Sequence, residues 1–353
     1  MTHGSSIYPI VWQFDHLLLI DQTRLPREFS LIEVRRHQDL IEAVQREIIQ
    51  SLPIIELALA YGLYLGVQKY PGSDSAGFLA QLQQVADTFA TQLSQTLDPG
   101  FEPLRQHFAP LLQALQKAEG SVEELKVMVL KAAQDQHLAQ LKICHQIGRL
   151  GYEALPHDPP RLSLLTYGHT GALATVGFGT ALSVVRCTQH RERLEHLYVA
   201  ETRPSFVGAR FSAWEAVQDG LPVTVMADGV VAWAMEQGLI HGVVLGANTI
   251  AANGDVANDT GTYGIALAAQ AHQIPVIVAA PLSAIDWTQA NGTRLDNPTT
   301  DPTALQRVGG KTLYPTGVSV YCPRLDITPA ALITTIVTET GQASPENLAQ
   351  LKP

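Results

Sequence analysis

Beyond residue 160 the chain repeats one pattern, and that pattern restricts its fold more than any other feature. Short, mainly apolar runs recur: "LSLLTY" from Leu162, "HLYVAE" from His196, "PVTVMA" from Pro222, "GVVLGA" from Gly242, "PVIVAA" from Pro275 and "VSVYCP" from Val318. Helix-like segments such as "ARFSAWEAVQDG" and "GVVAWAMEQG" lie between most of them. Strands that are apolar on both faces need cover on both faces, and alternating helices supply it in a parallel sheet. The expectation is a Rossmann-like α/β domain over residues 155–353. In such sheets ligands sit at the carboxyl ends of the strands. The loops "YGHTG", "ETRPSFVGAR", "ADGVVA", "GANTIAANGDVAND" and "APLSAID" gather there.

Residues 1–154 read differently. From about 29 to 150 the pattern is helical, clearest in "GSVEELKVMVLKAAQDQHLAQLKICHQIG", where Ser121 and Glu124 fit a capping box. "KYPGSDSAG" and "LDPGFEP" break the helices, and "HLLLID" suggests a small strand region before them. "LPHDPP", Leu155 to Pro160, marks the change of pattern. The fold class expected is therefore α/β: a mainly helical N-terminal domain followed by a Rossmann-like parallel-sheet domain.

Charge narrows the partners. With 33 acidic against 23 basic residues the formal charge is −10, which speaks against nucleic acid and against an anionic membrane surface. No run reaches the roughly 18 apolar residues of a spanning helix, and the first residues lack a basic stretch followed by an apolar one. Three widely spaced cysteines, Cys144, Cys187 and Cys322, suggest neither a disulfide framework nor a metal site. A cytoplasmic protein without metal or cofactor is expected.

The strand-to-helix stretch "LLTYGHTGALATVGFGTALSVV", Leu164 to Val185, has the form of a ligand loop, yet its tip offers only Gly168, His169 and Thr170. His169 could act as an acid or base near neutral pH or merely donate to a carbonyl. Asn248, Asn253, Asp255, Asn258 and Asp259 crowd a second loop, either as a polar ligand cradle or as turn-holding side chains. Arg203 and Arg210 could hold a phosphate, although pairing with Glu201 and Glu215 is the favoured expectation. Gly177 to Thr180, "GFGT", is expected inside a helix as close packing, and Cys187 as packing.

These stretches resemble a known family. "GALATVGFGTAL", "ETRP…GAR…AWE", "IAANGDVAN…GTY", "AAPLSAID" and "LDITPAALITTIVTETG", with "LLLIDQTRLP" near the start, are similar to 5-methylthioribose-1-phosphate isomerase. The same family includes ribose-1,5-bisphosphate isomerase and the α, β and δ regulatory subunits of eukaryotic initiation factor 2B. The resemblance covers nearly the whole chain. It implies the two-domain fold above, a homodimer, and cofactor-free conversion of an aldose 1-phosphate to a ketose 1-phosphate by a placed acid and base.

At the site the resemblance fails. The family motif T-H-C-N-A-G-A-L-A-T carries a catalytic cysteine, and this chain reads T-Y-G-H-T-G-A-L-A-T, with Gly168 at that position and His169 after it. The catalytic aspartate of G-A-D-R-I-A-A-N-G-D corresponds to Asn248. The substrate-holding arginine of R-G-A-P-A-I-G aligns within "QSLPIIE", at Gln50; a glutamine corresponds to Val207, an asparagine to Gly229 and a lysine to Asp259. A second N-terminal arginine has no counterpart near "SQTLDPGF". Exchanging lysine for aspartate turns attraction of a phosphate into repulsion. At about 4 Å and an effective dielectric near 20 one unit-charge pair is worth on the order of 4 kcal/mol. Framework residues persist, among them Asp21, Gln22, Arg203, Pro204, Asn253, Gly254, Asp326 and Pro329.

The expectation is therefore an isomerase-fold protein without isomerase catalysis, binding an unidentified protein partner or a small ligand. Its pocket would involve Gln50, His169, Thr170, Val207, Asn248, Asn258 and Asp259, in a cleft lined by Gly168, His169, Asn248, Asp255 and Asp259. The alternative is an active aldose–ketose isomerase. It would act on another substrate through His169 with Asp255 or Asp228, or in methionine salvage.

Overall fold

The computed structural model describes residues 7–94, 104–295, 305–308, 311–315 and 317–352. It divides into two compact units: one comprises Tyr8–Lys142 with Leu173–Gly177, the other Ile143–Ala172 and Phe178–Pro353 together with Ile7. The helix break expected at "LDPGFEP" and the stretch "SQTLDPGF" lie largely outside the described residues.

The first unit opens with an antiparallel sheet, β1 (Ile10–Gln13), β2 (His16–Ile20) and β3 (Leu31–Val34), in that order. β3 falls in the span expected to be helical. Its pairing, Ile32 opposite Leu19 and Val34 opposite Leu17, outweighs any local preference of four residues. Helices α1 (His37–Gln45), α2 (Leu52–Val67), α3 (Ser75–Leu93), α4 (Leu104–Gln116) and α5 (Val122–Glu153) follow. α2 is apolar almost all round, "LPIIELALAYGLYLGV", and a helix of that kind belongs inside a core. Ile54, Leu57, Leu59, Leu63 and Val67 are indeed completely buried, packed with Leu40, Phe78, Leu82 and Phe89. The capping box of α5 is formed: Ser121 N donates to Glu124 Oε2 at 2.7 Å, and Glu124 N returns a weaker bond to Ser121 Oγ at 3.4 Å. Leu173–Gly177 packs into this unit because Gln22 Nε2 donates to Leu173 O at 2.9 Å and Ser51 Oγ donates to Ala174 O.

The second unit is built on β4 (Leu162–Tyr167), β5 (Leu194–Ala200), β6 (Val223–Met226), β7 (Gly242–Leu245), β10 (Val276–Ala279), β15 (Thr335–Val337) and β16 (Gln342–Ala343). Among the described residues the sheet order is β16-β15-β10-β7-β4-β5-β6, parallel except for the β15–β16 edge pair. The chain starts in the middle, builds outward through β5 and β6, then returns beside β4 and builds the other way. This is the doubly wound order, and its switch point lies between β4 and β7. α6 (Ala181–His190), α7 (Ala213–Gln218), α8 (Val231–Glu236) and α9 (Thr262–Ala271) connect the strands. β4, β7 and β10 are buried along their whole length, as their apolar runs require.

Three expectations need correction here. "VSVYCP" forms no strand; the strand near it is β14 (Leu325–Thr328). "GANTIAANGDVAND" is not an open loop but a hairpin of β8 (Thr249–Ala251) and β9 (Val256–Asp259). β11 (Ile285–Asp286) and β14 flank it in a second sheet, and Gly254 turns it at φ +89°. "GFGT" lies before α6, not inside it, because Gly177, Phe178 and Gly179 all take positive φ, which a helix forbids. Close packing does hold for Gly179: a β-carbon there would lie 2.7 Å from the carbonyl oxygen of Thr170.

Candidate functional site

The register of the parallel sheet sets Tyr167 beside Leu245. Gly168 is the next residue after β4, and Asn248 is three beyond the end of β7, so both emerge at the switch point of the sheet. Gly168 takes φ +85°, a conformation readily available only to glycine. Its N–H donates to Thr202 Oγ1 at 2.9 Å, and its carbonyl accepts from Ser212 Oγ at 2.8 Å. Ser212 closes the single π-helical turn Gly208–Ser212 that Val207 precedes.

Asp259 ends β9 and reaches the same corner. A β-carbon on Gly168 would stand 2.6 Å from Asp259 Oδ2, so the carboxylate already occupies the volume of a side chain at 168. The backbone N–H of His169 donates to that carboxylate. Burial is the main influence on Asp259 and pushes its pKa up to about 6; Asp326 adds to the rise, whereas Arg324 and the His169 amide oppose it. The His169 ring packs against Phe211 with centroids 4.7 Å apart. Its Nε2 is buried with no hydrogen-bond partner among the described residues. Burial, with Arg210 assisting, holds this imidazole down to a pKa of about 3, so it is neutral at physiological pH. Tyr167, whose hydroxyl donates to Thr260 O at 2.5 Å, is raised chiefly by burial and further by Asp228, Asp259 and Asp326.

The remaining expected residues have defined occupations. Thr170 is buried; its hydroxyl lies 3.3 Å from Thr166 Oγ1, and its carbonyl accepts from Thr180 N and Leu182 N at the start of α6. Asn248 is exposed, with its N–H bonded to Ala257 O at 3.0 Å. Asn258 Nδ2 donates to Thr262 Oγ1 at 3.0 Å. Asp228 accepts from Thr202 N at 2.9 Å and Arg203 N at 2.8 Å. Asp255 accepts from Ala330 N at 2.8 Å and Gly292 N at 2.9 Å. It sits at the hairpin turn, four strand residues from Asp259 and so about 13 Å along β9. Gln50, in the first unit, donates from Nε2 to Glu47 O at 3.2 Å. Gly168, His169 and Asp259 are thus brought together, and Asp255 stands apart from them. Among the described residues no group of three or more His, Cys, Asp or Glu side chains could hold a metal, and no helix is long and apolar enough to cross a membrane.

One important group was not legible as such. Glu215 is completely buried and accepts from Ala172 N at 2.7 Å, with both carboxylate oxygens against Gly171. An arginine that pairs with it is Arg186 on α6, at 2.8 Å. Arg186 also reaches Asp219 at 2.5 Å and donates to Phe178 O at 2.5 Å. Residues 172 and 178, the two ends of the loop that leaves and rejoins this unit, are therefore gripped by one ionic cluster. Its sequence signal is slight: the glutamate of "AWE" and an arginine that falls among the buried residues of α6. Arg203 instead donates to Leu305 O at 3.1 Å and stacks over Phe206 at 4.5 Å. Cys187 is a packing residue as expected, with burial pushing its thiol up to about 11.

A doubly wound parallel sheet with its polar loops gathered at the switch point defines a Rossmann-like α/β protein. Within that class the chain belongs to the Initiation factor 2 subunit family, whose model matches residues 49–345. It is 44% identical over 346 residues to the methylthioribose-1-phosphate isomerase of Nostoc punctiforme, covering 98% of this chain and 97% of that one. It is also 44% identical over 345 residues to the protein of the same name from Thermosynechococcus vestitus, with 98% and 96% covered. Among solved structures, 5-methylthioribose 1-phosphate isomerase from Pyrococcus horikoshii matches with TM-score 0.92 at 30% identity, covering 99% of this chain and 96% of that one. The delta subunit of translation initiation factor eIF-2B from A. fulgidus matches with TM-score 0.89 at 32% identity, covering 98% and 99%.

Proposed function

We propose that this chain is a family member that does not isomerise methylthioribose 1-phosphate and acts instead by binding a small ligand or a protein partner. The observation that carries the reading is the Asp259 carboxylate standing in the side-chain volume of residue 168. Where the resembling isomerases have a thiol there and an aspartate at 248, this chain has no side chain and an amide. Neither can move a proton at physiological pH, and general acid–base groups contribute roughly 10²–10⁴-fold each. The preserved framework supports a homodimer, which light scattering would report as twice the 38.2 kDa chain mass; a monomer at micromolar concentration would contradict it.

The name carried by the 44% identical relatives favours a second reading, an active aldose–ketose isomerase serving methionine salvage or another substrate. The geometry supports it less. His169 is neutral and a weak base, and both oxygens of Asp228 and of Asp255 are engaged by backbone amides. Incubating the purified protein with methylthioribose 1-phosphate, and following the ketose product, decides between the two.

A further inference from the structure

The corner at Gly168 carries opposing charges. Arg210 acts on His169, and Arg324 acts on Asp259, so two guanidinium groups lend the site a positive field. Against them stand Asp259 itself and Asp326, which accepts from the N–H groups of Gly261 at 2.7 Å and Tyr263 at 3.1 Å at the start of α9. Of these two carboxylates only Asp259 lies over Gly168, within the side-chain volume that the glycine leaves open. The glycine and the aspartate are therefore coupled: a side chain at 168 would force the Asp259 carboxylate to shift from its present position.

We propose that Asp259 is the specificity-determining residue of this switch-point corner, its carboxylate standing against the side-chain position of residue 168 and barring dianionic ligands such as sugar phosphates. The proposal deepens the non-isomerase reading, because it says why phosphate-bearing substrates are refused before any chemistry is reached. Neutralising Asp259 removes the repulsion and leaves the fields of Arg210 and Arg324 less opposed. The same outcome follows from protonation, since burial holds this carboxyl at about 6. The groups acting on it are Arg324 just before β14, Asp326 within β14 and the His169 amide after β4; Tyr167, at the end of β4, feels both Asp259 and Asp228.

Sulfate is the probe of choice, because it mimics a phosphate dianion while its own charge stays constant between pH 5 and pH 8. Calorimetric titration at low ionic strength, where Coulomb effects are least screened, is done on the full chain and on Asp259→Asn. At pH 8 we expect at least tenfold tighter sulfate binding by Asp259→Asn than by the unaltered protein. The unaltered protein should itself gain at least fivefold on going from pH 8 to pH 5, a comparison that needs no variant to fold. Equal affinity of the two proteins at pH 8, absence of binding by both, or no gain at pH 5 each overturns the proposal. Failure of the sulfate comparison without turnover of methylthioribose 1-phosphate overturns this proposal alone; turnover overturns the non-isomerase reading and, because a sugar phosphate then enters the site, this proposal with it.

Discussion

Gly168 and Asp259 share one side-chain volume: a β-carbon on the glycine would lie 2.6 Å from the carboxylate oxygen of the aspartate. Gly168→Ala should therefore destabilise the protein twice over, through strain at φ +85° and through collision with Oδ2. Strain of the left-handed backbone is worth about 1–2 kcal/mol. In an Asp259→Ala background only that part should remain. A double-mutant cycle by chemical denaturation should return a coupling of about 1–3 kcal/mol; a coupling near zero would mean that the carboxylate moves aside freely.

Asp259 also shapes the dependence of stability on pH. Its folded pKa of about 6 lies above the ordinary 3.8, so ionisation is disfavoured in the folded state. Below about pH 4 the group is protonated in both states and has no effect. Between about 4 and 6 the unfolded chain releases its proton first, and stability falls as pH rises. Above 6 the full penalty remains, at most about 3 kcal/mol for a shift of this size. Asp259→Asn should accordingly be the more stable protein at pH 8, with the difference closing by pH 4. Thermal midpoints across that range measure it, and a variant less stable at pH 8 would reverse the sign.

Arg186, Glu215 and Asp219 form a buried cluster in which Glu215 is wholly inaccessible and the Arg186 side chain is 5% exposed. Removing the arginine strands two carboxylates, a change that typically costs about 3–5 kcal/mol. Arg186→Met should lower stability by that amount and speed hydrogen exchange at Ala172, whose amide Glu215 holds. A loss below about 1 kcal/mol would show that the cluster is not holding the loop.

How far the sequence could be read follows from the range of the interactions involved. The parallel sheet was visible in the fully buried runs of β4, β7 and β10, because burial on both faces writes itself into every residue of a strand. The capping box of Ser121 and Glu124 was visible because its partners are three residues apart. β3 is not legible locally, because its stability comes from pairing with Leu17 and Leu19 on the preceding strand. The hairpin at Asn253 has the local sequence of a loop because its strands are short and one pairs with residues near 326. At the site, the absences at Gly168 and Asn248 were legible by position. That Asp259 fills the gap was not, since residues 168 and 259 meet only through the folding of two separate sheets. The Arg186–Glu215 pair is hidden because its partners sit on two helices, 29 residues apart, that meet only in the folded unit.

The most direct test of whether this chain isomerises sugar phosphates is a product assay with methylthioribose 1-phosphate at saturating concentration and neutral pH, on the purified, folded protein. No ketose 1-phosphate is expected above the uncatalysed background, because Gly168 and Asn248 leave the site without a proton-transfer pair and Asp259 opposes the phosphate. Turnover at an ordinary enzymatic rate, on the order of 1–10³ per second, would contradict it.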